Sequence, residues 1–193
     1  MGIKVIANPS SEPISLSDMK SYLRIATSVP EDDSLITSYI QASREYYESI
    51  QNKSYMPKTL ELALDKWPCK DYIELKRPPV QSVTSVKYYD INDIEYTLSS
   101  DDYYFDDYSF VPRIQLKYNK YFPPTTLRPN NAVIIRYVAG YLNSNSVPMT
   151  VVQAIKLLVA YWYENREAGA LTVPKEIEFS VKSLLGLDKV VNI

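Results

Sequence analysis

The longest regular pattern of hydrophobic positions lies near the C-terminus, where apolar residues recur at the 3.6-residue period of a helix face. The positions on this face are Val151, Ile155, Leu158, Val159 and Trp162. The pattern predicts a helix within residues 147–167, beginning at a capping box of Thr150 with Gln153, or slightly earlier near Pro148. Neighbouring positions are also apolar, so we expect this helix to be deeply buried or to have a partner outside its own domain.

Two amphipathic patterns lie at the N-terminal end of the chain. After an extended arm over residues 1–11, Ser15 as N-cap and Asp18 at N3 begin a helix that we expect to end near Ile25-Ala26. Its inward-facing positions are Leu16, Met19, Tyr22 and Leu23. A second helix runs to about Gln51, where Asn52 can terminate it. Its apolar stripe consists of Leu35, Ile36, Tyr39, Ile40, Ser43, Tyr46, Tyr47 and Ile50.

Beyond residue 58 the period changes from 3.6 to 2, the pattern of half-buried strands. Short strands are predicted at 60–64, 71–75, 82–89, 94–98, 102–105, 113–117 and 132–138. The last of these is the strand that we expect to be the most buried. Short strands joined by turns indicate a small antiparallel sheet or barrel.

A last helix is expected from Val173-Pro174 to Gly186. The apolar positions on one side of it are Ile177, Val181, Leu184 and Leu185. The flanking helices are too short to stand alone, so we expect them to pack together. The predicted fold class is therefore α+β, a four-helix core of two N-terminal and two C-terminal helices with an inserted small antiparallel β domain. The predicted boundaries are 1–55 and 146–193 for the helical core and 56–145 for the β domain.

Composition excludes several kinds of chemistry. The chain has no histidine, which removes imidazole catalysis and the usual transition-metal sites. Its four glycines cannot form a glycine-rich phosphate loop, and Cys69 has no second cysteine to pair with. The net charge of −2 argues against a general nucleic-acid-binding surface. There is no apolar run of membrane-spanning length and no leader pattern, so we expect an intracellular, unprocessed protein that does not contact a membrane.

The only candidate catalytic groups are the acidic pairs Asp32-Asp33, Asp101-Asp102 and Asp106-Asp107. They fall at predicted helix starts and turns, where carboxylates are favoured by the helix dipole or by turn conformation. Adjacent carboxylates on one strand cannot face the same substrate. We therefore predict no catalytic, cofactor-binding or metal-binding residues, and a protein that is not an enzyme.

Some features leave alternatives open. The basic residues of the β block could form a patch or lie on solvated strand faces; they are Lys87, Arg113, Lys117, Lys120, Arg128 and Arg136. Arg166 could form an inter-helix ion pair, cap the helix end or be solvated. The 18 tyrosines suit interfaces as well as half-buried strands. Two rival functions follow, a nucleic-acid-binding accessory protein that uses the Tyr-rich β domain for stacking, and a hydrolase with an acidic site at Asp102.

Short phrases spread over nearly the whole chain form an ordered set. They are 12–16 with 22–24, 32–36 with 42–44, 67–68, 79–90, 112–114, 137–141, 147–148, 153–155 and 162–167. Each phrase is unspecific alone, but in this order they resemble the bacteriophage head–tail connector (head-completion adaptor) family, in its long form with a β insertion. One departure is the turn after Tyr89-Asp90, which lacks the glycine often found there.

The resemblance implies a structural virion protein without a cofactor. Members form a ring, typically of twelve copies, beneath the portal protein, extend the DNA channel and dock the stopper or tail-completion protein. DNA would pass through without sequence-specific binding. C-terminal segments of such proteins usually engage the portal, which corresponds here to residues 174–193 with Ile177, Val181, Leu184 and Leu185. The implied location is the head–tail interface of the virion, after assembly in the host bacterial cytoplasm. We expect the apolar face formed by Val151, Ile155, Leu158, Val159 and Trp162 to be part of the helical core or of a subunit interface.

Overall fold

The computed structural model describes residues 2–28 and 30–166 of the chain. In these ranges it contains three α-helices and eight β-strands, and the α+β class is as predicted. The helices are α1 (Leu16–Tyr22), α2 (Asp33–Gln51) and α3 (Met149–Glu164). The strands are β1 (Gly2–Ala7), β2 (Lys58–Leu64), β3 (Tyr72–Glu74), β4 (Val80–Tyr89), β5 (Glu95–Thr97), β6 (Tyr103–Asp106), β7 (Arg113–Leu116) and β8 (Val133–Ala139).

The chain divides into two compact units, each built from separated stretches of sequence. The sheet unit contains residues up to Pro9 and Pro57–Leu142. The helical unit contains Ser10–Met56 and the chain from Asn143 onward, of which residues up to 166 are described. The β block is thus inserted between α2 and α3, while β1 belongs with the sheets and not with the helices that follow it.

The sheet unit contains a five-stranded antiparallel sheet in the order β1-β2-β8-β4-β5 and a three-stranded sheet in the order β3-β7-β6. Strand β8 lies at the centre of the larger sheet, and four of its seven residues are buried, as expected of the most buried strand. In the ladder, Leu62 lies opposite Ile135, which lies opposite Val86. These three side chains share one core with Ile73 and Ile114 of the smaller sheet.

Strand β1 was predicted only as an extended arm, and in the structure it forms one edge of the larger sheet. It pairs antiparallel with β2, with Ile3 opposite Leu62 and Val5 opposite Leu60, and its register shifts between Val5 and Ala7. Its partner lies some sixty positions away in the sequence, which is why no local pattern could identify the pairing.

Helix starts and stops follow local hydrogen bonding. The Ser15 hydroxyl caps α1 as predicted, accepting from the Asp18 backbone N–H at 3.1 Å. Asn52 ends α2 in the left-handed conformation, also as predicted. Helix α1, however, ends at Tyr22 and not near Ile25-Ala26, because Arg24 adopts a left-handed conformation with φ 60° and Ile25 N–H donates back to Lys20 C=O.

Other boundaries and faces also differ from the predictions. Helix α3 begins at Met149, with Pro148 in the N-cap position, so Thr150 is inside the helix and no capping box forms. Tyr22, Tyr46 and Ile50 were expected to face inward but are exposed. On the last turns of α2, Ser43 and Tyr47 are buried as predicted, and the polar residues Arg44, Glu48 and Gln51 are buried beside them.

The described residues contain three α-helices and therefore do not match the predicted four-helix core. The segment expected to supply the fourth helix, from residue 174 to 186, lies outside them. The domain boundaries at 55 and 145 stay predictions, although the compact units divide close to them, at Met56–Pro57 and Leu142–Asn143.

Candidate assembly surfaces

The apolar face of α3 forms the core of the helical unit. Val151, Ile155, Leu158 and Val159 are buried, and Trp162 is half-buried with its ring centroid 5.8 Å from that of Tyr39. Tyr47 of α2 donates its hydroxyl hydrogen to Ala154 C=O at 3.1 Å, and burial raises the pKa of that hydroxyl. The four aliphatic side chains are therefore used inside the unit.

A polar cluster joins the start of α2 to the end of α3. The Asp32 carboxylate accepts from the Tyr163 hydroxyl at 2.6 Å and from Arg166 Nη2 at 2.7 Å. The Arg166 hydrogen bond, followed by that from Tyr163, lowers the pKa of Asp32, while Asp32 raises the pKa of both partners. Next to it, Lys20 Nζ lies 2.6 Å from an Asp33 oxygen. We call Asp32, Tyr163 and Arg166 the terminal clasp.

The terminal clasp decides between the alternatives left open for Arg166. This residue forms the inter-helix ion pair, and its Nε also donates to Tyr163 C=O at 3.3 Å. Asp32 makes no side-chain cap hydrogen bond at the start of α2, so its carboxylate acts mainly on the clasp partners. The clasp therefore connects the N-terminal end of α2 to the residues at the C-terminal end of α3.

A buried charge network in the helical unit was not predicted. Arg44 contacts Glu12 through Nε at 2.7 Å and Nη2 at 3.1 Å, and its Nη1 lies 3.0 Å from Glu48. Glu48 also accepts from the Tyr55 backbone N–H at 2.7 Å. Burial opposes the charge on Arg44, but the Glu12 hydrogen bond and the nearby carboxylates raise its pKa overall. Arg44 and Glu48 are four positions apart on α2, which was the only local signal of the pair.

Five of the six basic residues that could have formed a patch in the β block have acidic partners. Five ion pairs have nitrogen–oxygen distances of 2.5 to 3.1 Å: Lys87 with Glu95, Arg113 with Asp106, Lys120 with Asp102, Arg128 with Asp93, and Arg136 with Glu61. The sixth cation, Lys117, lies with its Nζ 4.9 Å from the ring centroid of Tyr104. Because acidic partners offset five of these charges, the six residues do not form the basic stripe that phosphate binding requires.

Exposed aromatic side chains cluster in the sequence around β6 and β7. Tyr104, Tyr108, Phe110, Tyr118 and Tyr121 are each between 60% and 99% exposed. Aromatic side chains are enriched at protein interfaces, where they supply large contact areas at a low cost in conformational entropy. These five residues are therefore candidates for contacts with another protein.

The acidic pairs have conformational roles. Asp106 accepts from the Ser109 hydroxyl, from Arg113 and from two backbone N–H groups, which together lower its pKa. Asp101 and Asp102 lie in a 3₁₀ turn capped by Ser99. Among residues 2–28 and 30–166, no group of three or more His, Cys, Asp or Glu side chains is arranged to hold a metal. In the same ranges, no helix is long and apolar enough to cross a membrane.

The residues predicted to contact a portal protein, Ile177, Val181, Leu184 and Leu185, lie outside the described residues. Their role stays a prediction. Helix α3 ends at Glu164, within the predicted range of 147–167.

The described residues thus form a helical unit and an antiparallel sheet unit, and the sheet unit carries exposed aromatic side chains. The chain belongs to the head completion protein family, whose sequence profile matches residues 12–173. No curated protein matches it at a significant level.

Solved structures with the same fold come from a gene transfer agent (GTA). The chain is similar to one from the virion of the native particle, with a TM-score of 0.80. It is also similar to chains from the neck of the empty particle, computed with C6 symmetry, and of the native particle, computed with C12 symmetry, with TM-scores of 0.81 and 0.78. In each case the identity is 23%, and the match covers 100% of this chain and 97% of the other.

Proposed function

We propose that this chain is a head–tail connector subunit of a phage-like particle. Twelve copies form a ring beneath the portal protein, extend the DNA channel and provide the surface on which the stopper or tail-completion protein docks. The observation that carries the proposal is membership of the head completion protein family over residues 12–173. The shared fold with chains from a particle neck computed with C12 symmetry supports it.

The charge distribution suits a protein next to moving DNA. A strongly basic bore would hold DNA through phosphate contacts and counterion release. Here the net charge is −2, and five of the six basic residues considered in the β block have acidic partners. DNA would therefore pass without sequence-specific binding and with little electrostatic attraction between its phosphates and the protein.

Contact with the portal is assigned to residues 174–193. Ile177, Val181, Leu184 and Leu185 recur at helical spacing, which suits an apolar face that inserts against another protein. The terminal clasp supports this assignment, because it holds the chain at Arg166, only a few residues before that segment. The exposed aromatic side chains around β6 and β7 are then available for the stopper or tail-completion protein.

The alternative function is that of a nucleic-acid-binding accessory protein. The exposed tyrosines favour it, since bases stack on aromatic rings. Stacking of this kind normally accompanies a positively charged groove that follows the phosphates, and the paired cations do not supply one.

Deletion of the gene from its source genome tests the proposal. We expect the lysate of the host bacterium to contain packaged heads and free tails that remain separate. Supplying the gene in trans should restore their attachment, and the protein should then be found in the virion fraction. Normal infectious or transducing particles from the deletion strain would refute it. A strain that fails to package DNA, rather than to attach tails, would favour the nucleic-acid-binding alternative.

A further inference from the structure

The strand at one edge of the larger sheet is exposed and apolar. All six residues of β1 are exposed, and Ile3, Val5 and Ile6 are 42%, 48% and 39% exposed. Among the described residues β1 pairs with β2 alone, so its outer edge has no strand beside it. In an antiparallel ladder, alternate residues of an edge strand point their N–H and C=O groups away from the sheet. Such an edge is a template for another strand.

The opposite edge of the same sheet has matching properties. Strand β5 pairs with β4 alone among the described residues, and its three residues are exposed. Ile91, Ile94 and Tyr96, on or beside it, are 64%, 50% and 40% exposed. The larger sheet thus ends on both sides in a free strand with apolar side chains.

The two edges differ in charge. Residues 2–7 contain one charged residue, Lys4, whereas residues 91–97 contain Asp93 and Glu95 and no cation, and Glu95 is paired with Lys87 of the neighbouring strand β4. The Asp93 side chain remains 74% exposed although it contacts Arg128. A lysine on an edge strand discourages pairing with a copy of itself, because two β1 strands would place like charges across one ladder. The positive charge of Lys4 instead favours pairing of β1 with an edge strand that carries acidic side chains.

We propose that β1 of one copy adds to the β5 edge of the next copy, so that the five-stranded sheets join head to tail. Such a contact uses two different surfaces of the same chain, which is the kind of interface that closes into a ring. It would cover the aliphatic side chains of β1 and bring Lys4 close to the Asp93 and Glu95 carboxylates. This inference rests on the proposed ring and names the surfaces that join its subunits.

Site-directed cross-linking tests the contact. In a Cys69→Ser background, which removes the one native thiol, one preparation carries Lys4→Cys and another carries Tyr96→Cys. Each is treated with a short bis-maleimide, alone and mixed, both as concentrated free protein and with the portal protein of the same genome. We expect covalent dimers in the mixture only, and a ladder of higher species from the double variant. Dimers from Lys4→Cys alone would indicate β1–β1 pairing and overturn the proposal, as would the absence of mixed dimers in both samples.

Charge and polarity variants give a second readout. Val5→Asp places a carboxylate in the apolar contact and is expected to abolish ring formation. Lys4→Glu should raise the concentration needed for assembly several-fold, and adding Asp93→Lys should restore it. Lys66→Glu makes the same charge change at an exposed site outside β1 and should leave assembly unchanged. Unchanged tryptophan fluorescence and melting temperature would show that the variants are folded.

The failures of the two proposals are distinguishable. If the wild-type chain forms portal-bound rings that Val5→Asp leaves intact and that give no mixed dimers, the edge contact is refuted and the connector function stands. If mixed dimers and ladders form but nothing binds the portal, the edge contact is supported and the connector function fails.

Discussion

Replacing Arg44 with methionine removes the cation at the centre of the buried network in the helical unit. The Arg44 side chain is 4% exposed and holds Glu12 with two hydrogen bonds and Glu48 with one. Methionine fills a similar volume but removes the guanidinium that lies 3.0 Å from the Glu48 carboxylate, which is also 4% exposed. Removing one partner of a buried ion pair typically costs about 3–5 kcal/mol. For a chain of this size that corresponds to a melting temperature lower by at least about 6 °C.

The assay is thermal unfolding followed by tryptophan fluorescence, in which Trp162 reports on the helical unit and Trp67 on the sheet unit. Arg136→Met is the matched control, because its ion pair with Glu61 is of similar length but Arg136 is 47% exposed. An exposed pair of this kind contributes about 0–1 kcal/mol. A loss for Arg44→Met as small as that of the control would refute the reasoning.

A second variant separates lost charge balance from lost packing. Adding Glu12→Gln and Glu48→Gln to Arg44→Met neutralises the two carboxylates that hydrogen-bond to Arg44 and keeps the Glu48 oxygen that accepts from Tyr55 N–H. We expect the triple variant to recover part of the lost stability, because unpaired buried charge is the main cost. A triple variant no more stable than Arg44→Met would show that packing dominates.

Three other predictions follow from the two units and their charges. Ile155→Ala should cost about 2–5 kcal/mol through the cavity it leaves, whereas Met149→Ala, at an exposed position of the same helix, should have almost no effect in the same thermal assay. Asp32→Asn should lower the melting temperature at pH 7. Because the folded pKa of Asp32 lies below its ordinary 3.8, this contribution is present above that pH and is lost as the pH falls through the lowered value, so melting curves of the two proteins should converge in acid. Fluorescence anisotropy with a single-stranded oligonucleotide should show no salt-sensitive binding, and tight binding that weakens about a thousandfold between about 50 and 200 mM salt would contradict the paired-cation argument.

Local signals accounted for much of the fold. Ser15 and Asn52 were placed correctly because capping depends on residues within one helical turn. The central strand β8 was identified because its sequence is almost continuously apolar, and the structure buries alternate residues of it. The end of α1 was missed because its left-handed residue is Arg24, and an arginine does not mark that conformation as a glycine or asparagine does.

The errors at the candidate surfaces have a common cause, which is contact between distant positions. The contact of Arg44 with Glu12 has no local signal, because the two residues are 32 positions apart. Tyr46 and Ile50, expected to face inward, are exposed. Strand β1 appeared to be an arm because its partner β2 follows two intervening helices. The terminal clasp is a distant contact that the sequence did suggest in part. Arg166 at a helix end indicated an inter-helix ion pair as one alternative, and the structure identifies Asp32 as its partner.

The most direct test of the connector function is the mass of the complex between this chain and the portal protein of the same genome, measured by mass photometry or native mass spectrometry. Twelve copies of the 22.2 kDa chain would add about 266 kDa to the portal ring, and truncation after residue 173 should abolish the addition. A portal ring whose mass is unchanged by an excess of the full-length chain would contradict the account.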